Sequence, residues 1–267
     1  MNVNLMGILN VTPDSFSDGG RFDSVERAVK RALEMIEEGA NIIDVGGEST
    51  GPGSQDVDLE EELGRIIPVI KGIRSGNGEI MISVDTWKVE VARQAIKAGA
   101  NMVNDVTALR GDPEMARVVA EAGVPIVLMY SKDNSPRTTK EVLHYDDVMV
   151  TIREFLEKRV KVAEEAGIKR ENIIIDPGMG AFVSMDAKYS YEILARLNEL
   201  KDLGLPILVG TSRKSFLVTQ FGEAKPEDQL EGSISTAIEA YLNGAQILRV
   251  HDVKETRQAI DFVQKLH

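Results

Sequence analysis

One phrase recurs six times along the chain: an amphipathic stretch ends at a glycine, and a short apolar run follows within a few positions. It reads EEGANIIDVG, KAGANMVNDV, EAGVPIVLMY, EAGIKRENIIIDPG, DLGLPILVG and LNGAQILRV. Gly39, Gly99, Gly123, Gly167, Gly204 and Gly244 suit the residue just past a helix, which commonly needs positive φ. The runs after them are short and apolar throughout, as parallel strands covered on both faces are. LMGILNV near the start and IMISVD at residues 80–85 complete eight strands, separated by amphipathic stretches such as SVERAVKRALEMIEE. With no linker-like change of composition, this predicts one α/β domain over residues 1–267, a closed (β/α)8 TIM barrel. A doubly wound open sheet is the alternative, and eight regular units suit closure better.

The connections after the first two strands are extended. Residues 10–20, NVTPDSFSDGG, are about twice the length that a strand-to-helix link usually needs. Two aspartates, three hydroxyls, a proline and a glycine pair leave two readings, a decorative surface loop or a loop that closes over something.

Composition removes several classes of function. A net charge of −12 leaves no dominant basic surface for nucleic acid. The absence of cysteine excludes disulfides and thiolate metal sites. No charged leader precedes an apolar segment, and no run approaches a membrane span, so a soluble, cytoplasmic protein without a membrane partner is expected.

In a barrel of this kind, the C-terminal ends of the strands and the loops after them build the active site. Reading those ends in order gives Asn10, Asp44, Asp85, Asn104, Met129 and Asp176, then the loop TSRKS, then Arg249 and His251. Singly, each is an ordinary turn or cap residue. Together, buried aspartates converging on one mouth repel each other unless a ligand or cation satisfies them. Asp85, Asn104 and Asp176 suit a flat heterocycle presenting several N–H groups, such as an aminopyrimidine, because a carboxylate accepts two parallel hydrogen bonds. Lys214, Arg249 and His251 supply donors and positive charge, and Arg249 can lie flat on a π-system. Phosphate is the expected anion, with GTSRKSF adding backbone N–H groups at a helix start.

MGILNVTPDSFSDGG, IIDVGGEST-x-PG, SVDT, NDV, DPG, GTSRKSF and RVHDV, in this order, resemble the dihydropteroate synthase family, the pterin-binding enzymes of folate synthesis. The resemblance runs from about Leu5 to the last helix. It implies a homodimeric barrel that joins hydroxymethyl-dihydropterin pyrophosphate to p-aminobenzoate, releasing pyrophosphate with Mg²⁺ as its partner. Carried over, Asp85, Asn104, Asp176 and Lys214 would hold the pterin ring, Arg249 would stack on it, and Asp44 would support the same pocket. Asn10, Ser49, Thr50, Arg249 and His251 would bind the pyrophosphate, with Asn10 on the Mg²⁺. Asp18 would stabilise the cationic pterin methylene. Phe16 and Pro52 would wall the aminobenzoate site, and Ser215 would meet its carboxylate. The catalytic set is thus Asp18, Lys214, Arg249 and His251.

Three departures stand against the family pattern. Gly51 replaces the arginine usual in the second loop, a charge-assisted contact worth about 1.5–3 kcal/mol. Arg21, Lys132 and Arg137 are the candidates to replace it. After DPG the chain reads MGAFVSMD in place of an F-G-K stretch, with Phe182 filling part of the aromatic role, and Tyr130 stands where histidine is common. The pterin half is expected intact and the transfer half altered. A non-catalytic pterin-binding paralogue is therefore the main alternative. A folate-dependent corrinoid methyltransferase ranks lower because its relatives lack NVTPDSFSDGG. A Schiff-base aldolase on Lys214 needs a desolvated lysine of low pKa, and Arg213 beside it favours anion binding instead.

Overall fold

The computed structural model describes residues 3–12, 21–217 and 229–266. Its strands and helices alternate along the chain: β1 (Asn4–Asn10), α1 (Arg21–Glu37), β2 (Ile42–Gly46), α2 (Leu59–Gly76), β3 (Met81–Asp85), α3 (Val89–Ala98), β4 (Met102–Asp105) and α4 (Met115–Ala122). The second half repeats the order with β5 (Ile126–Met129), α5 (Val148–Glu165), β6 (Ile173–Asp176), α6 (Ala187–Arg196), β7 (Leu208–Val209), α7 (Leu230–Leu242), β8 (Ile247–Val250) and α8 (Val253–Leu266). The strands run parallel in the order β6-β5-β4-β3-β2-β1-β8-β7. A bridge between Ile175 and Ile207 joins the two outer strands and closes the barrel. All six recurring glycines have positive φ, from 65° at Gly204 to 119° at Gly99, which is why the helix-to-strand phrase repeats with that residue.

Each strand turns alternate residues inward. At the bottom of the barrel Met6, Ile42, Met102, Val127, Ile174, Leu208 and Ile247 form one buried apolar plug. The opposite faces of the strands, including Leu5, Ile43, Ile82, Val103, Leu128 and Ile175, pack under the helices. Going up the barrel, the inward face changes from apolar to ionisable: Ile42 gives way to Asp44, Met102 to Asn104, Ile174 to Asp176 and Ile247 to Arg249. The polar layers therefore rest on a dry base. Asp44, expected at a strand end, lies mid-strand and pairs in register with Ser83, while Gly46 pairs with Asp85. It is thus one layer deeper than Asp85.

The loop between β2 and α2 is extended, as expected, and α2 starts where the Asp58 side chain accepts from the Glu61 N–H. Most of the loop after β1, with Phe16 and Asp18, lies outside the described residues. Among the described residues, no helix is long and apolar enough to cross a membrane.

Ile82 is fully buried between barrel and helices, so Ile82→Ala is expected to cost about 2–5 kcal/mol in a urea unfolding curve. A loss under about 1 kcal/mol would contradict the close packing of that layer.

Candidate active site

Arg249 organises the deepest polar layer. From β8 its Nε donates to Asp44 Oδ2 at 2.7 Å and its Nη2 to Asp85 Oδ2 at 2.6 Å. Asn104 Nδ2 donates to the same Asp44 oxygen at 3.0 Å, while Asp44 Oδ1 is buried without a partner. One planar guanidinium thus spans two carboxylates on neighbouring strands, a geometry that lysine cannot copy. Burial pushes the Asp85 carboxyl up to about 7, opposed by Arg249 and reinforced by Asp44. Asp176 Oδ1 accepts from the Gly178 N–H at 2.7 Å. Burial raises its pKa too, against the pull of Lys214. Gly178 has φ +68°, and a Cβ there would stand 2.4 Å from the Tyr130 carbonyl oxygen, so only glycine lets the DPG turn approach so closely.

Lys214 Nζ donates to the Met179 carbonyl at 3.2 Å and lies 5.2 Å from the centre of the Phe182 ring. Burial brings its pKa down to about 8, against Asp176. Lys214 is thus desolvated, which its setting beside Arg213 in the sequence did not suggest. Arg213, at φ 55°, instead pairs with Asp252, its Nη2 2.5 Å from Oδ1.

The sequence expectation of a cation at His251 is corrected by its surroundings. Burial, with Arg249 and Arg213 nearby, lowers the imidazole pKa to about 4, so the ring is neutral at pH 7. Ser212 Oγ lies 3.0 Å from Nδ1 and also accepts the His251 backbone N–H. Ser212 was not singled out from sequence, and only its place in GTSRKSF hinted at it. Ser215 is exposed at the head of the 3₁₀ turn Ser215–Leu217, and residues 218–228 lie outside the described residues. The next α-helix among the described residues begins at Leu230.

Asn10, Ser49, Thr50, Asp85, Lys214, Arg249 and His251 line one cavity of 460 Å³, together with Gly51 and Phe182. Asp44, Asn104 and Asp176 are buried at the same end of the barrel. Pro52 is half-buried in the same turn as Gly51. Of the three candidates to replace the missing arginine, Arg137 reaches the second loop, pairing with Glu48 and Asp56. Lys132 binds Asp133, Thr138 and Thr139 in its own loop, and the side chain of Arg21 lies outside the described residues. Tyr130 is structural: its hydroxyl meets Tyr145 Oη at 3.0 Å, and Tyr145 in turn donates to the Val183 carbonyl at 2.7 Å. Among the described residues no three His, Cys, Asp or Glu side chains converge to hold a metal. A neutral amide such as Asn10 suits a Mg²⁺ carried in by a polyphosphate, which supplies most of the ligands itself.

In the ligand-free protein the His251 imidazole is expected to titrate near pH 4, with Nδ1 and Nε2 shifts followed by NMR and assigned against His251→Gln. Inorganic pyrophosphate should raise that midpoint, because a nearby anion favours the imidazolium. A free-protein midpoint near 6.5 would contradict the half-buried, neutral ring.

With this geometry in view, the similarities of the chain are informative. The pterin binding enzyme family matches residues 6–251. A dihydropteroate synthase of Escherichia coli (strain K12) is 46% identical over 260 residues, covering 97% of this chain and 90% of that protein. The structure of Xanthomonas albilineans dihydropteroate synthase with 4-aminobenzoic acid is 44% identical, with a TM-score of 0.92, covering 99% of this chain and 93% of the other. The complex of the Xanthomonas albilineans enzyme with 7,8-dihydropteroate is 42% identical, with a TM-score of 0.88, covering 99% and 94%. The chain belongs to the pterin-binding enzyme family.

Proposed function

We propose that the protein is a dihydropteroate synthase: it condenses hydroxymethyl-dihydropterin pyrophosphate with p-aminobenzoate to give dihydropteroate and pyrophosphate. The observation that carries this is a single cavity lined by Asp85, Arg249, Lys214, Ser49 and Thr50, with the buried Asp44 hydrogen-bonded to both Arg249 and Asn104. The name borne by relatives at 44–46% identity over nearly the whole chain agrees.

The ring edge of the pterin, rich in N–H donors, is read by Asp85, Asn104 and Asp176. Lys214 donates to its carbonyl, and Asp44 backs the pocket through Arg249 and Asn104. In the free protein Arg249 occupies Asp85, so the ring takes over that carboxylate and the guanidinium moves onto the ring face. Asn10, Ser49, Thr50, Arg249 and His251 hold the pyrophosphate. His251 meets it first as a neutral donor. The C–O bond at the pterin methylene breaks with its electron pair leaving on pyrophosphate. The aminobenzoate nitrogen then forms the new C–N bond and gives up one proton to water. Mg²⁺, when bound on the pyrophosphate with Asn10 as a protein ligand, supplies further charge neutralisation of the leaving group. Asp18 stabilises the electron-deficient carbon, Phe16 and Pro52 wall the arylamine, and Ser215 meets its carboxylate. No protein nucleophile is required.

Exposed Leu242, Phe262 and Leu266 on α7 and α8 support a homodimer formed through those helices. A cytoplasmic setting accords with this substrate chemistry. A pterin-binding protein without transfer activity is the second reading, and Gly51 is the observation that favours it.

The test supplies both substrates and Mg²⁺ to the purified protein and follows dihydropteroate together with released pyrophosphate. Product is expected from the wild type, and Asp85→Asn should lower kcat/KM by about 10- to 100-fold, the value of one charged hydrogen bond. Pterin binding without product would replace this reading with the second. Because Lys214 acts as a protonated donor, kcat/KM should fall on the alkaline side with an apparent pKa near 8. A flat profile to pH 10 would remove Lys214 from the ring contact.

A further inference from the structure

The second loop carries no side chain at position 51, yet it is not left loose. Glu48 is 3% exposed and lies between two cations, Lys88 from the start of α3 and Arg137 from the loop between β5 and α5. Lys88 Nζ is 2.6 Å from Glu48 Oε2, 2.6 Å from Glu62 Oε2 and 2.6 Å from the Val57 carbonyl. Its single charge is therefore divided between two buried acids. Arg137 adds the second charge. Its guanidinium bridges Glu48 and Asp56 and donates to the Gln55 carbonyl at 2.7 Å, so it spans the loop from one end to the other. The next residue continues the contact: the Thr138 N–H donates to the Thr50 carbonyl at 3.1 Å. Behind it, Thr138 Oγ1 donates to the Ala181 carbonyl at 2.8 Å and the Lys132 N–H to the Phe182 carbonyl at 2.9 Å. The loop after β5 thus ties the second loop to the segment after β6.

We propose that Arg137 is a positioning residue for the anion half of the site. It holds Ser49 and Thr50 against the cavity through Glu48 and the neighbouring Thr138–Thr50 bond. This rests on the transferase reading for what Ser49 and Thr50 bind. Both terminal nitrogens of Arg137 are taken up by Glu48, Asp56 and Gln55, so it acts through the loop and not on the substrate. Position 51 leaves the task open, since a Cβ there would have Ser49 Oγ at 3.6 Å as its only neighbour within 4 Å among the described residues. The planar fork matters as well as the charge, because Arg137 reaches Asp56 from Nη1 and Glu48 and the Gln55 carbonyl from Nη2, two donors held apart in one plane that a single ammonium nitrogen does not offer.

The test compares two probes on the full chain: hydroxymethyl-dihydropterin, and the same pterin bearing the pyrophosphate. Affinities are measured by calorimetry for the wild type, Arg137→Gln and Arg137→Lys. Arg137→Gln is expected to weaken the pyrophosphate ester about 10-fold or more while the bare pterin binds as before. Arg137→Lys should recover part of the loss. Two results overturn the proposal: an unchanged affinity for the ester, or an equal loss for both probes, which would mean general damage to the fold. Should Arg137→Gln fail to fold, the same ratio is read on Arg137→Lys, and an unchanged ratio there also overturns it. A wild type that binds neither probe would instead fail the transferase reading itself.

Discussion

The site depends on one arginine held between the buried Asp44 and the half-buried Asp85. Asp44 and Asp85 project inward from adjacent strands, and their charges would repel if left alone in the barrel. Arg249 crosses from β8 to join them, and Asn104 adds an amide to the shared oxygen of Asp44. Removing one partner from such a buried group typically costs roughly 3–5 kcal/mol, because it strands an uncompensated charge. The same arrangement stores acceptors for a ligand. Asp85 has a second oxygen, Asp44 keeps an oxygen without a partner, and Asp176 waits beside Lys214. A heterocycle with several N–H groups can replace the guanidinium at Asp85 without leaving that carboxylate bare.

The barrel makes this possible by separating packing from chemistry along each strand. The inward face is apolar at the bottom and ionisable above, so the charged layers sit on a base that excludes water. Low polarability there strengthens each ion pair and raises the acids' pKa values. Ionic contacts then anchor the second loop above them. Glu48, Lys88, Glu62 and Arg137 fix the second loop from below and from the side.

Much of the scaffold was legible in the sequence because its cause is local. Gly39, Gly99, Gly123, Gly167, Gly204 and Gly244 mark helix ends for a backbone reason, and the eight strands follow from them. The convergence of strand-end polar residues was legible too, since inward alternation brings Asp85, Asn104, Asp176 and Arg249 to one end of the barrel. What depends on distance was not. Glu48 and Arg137 are 89 positions apart, so nothing in either segment announces their contact. The neutrality of His251 and the desolvation of Lys214 arise from the summed burial and charge around them, which residue types alone do not state. Asp44 sits one layer lower than expected because β2 runs two residues past it to Gly46.

The most direct measurement is a crystal structure of the protein with dihydropterin pyrophosphate soaked in. The ring edge should lie on Asp85, Asn104 and Asp176, with Arg249 lifted from Asp85 onto the ring face and the pyrophosphate against Asn10, Ser49, Thr50 and His251. A pterin seated elsewhere, with Arg249 still bound to both Asp44 and Asp85, would show that the aspartate and arginine layer is a structural lock and not a substrate mould.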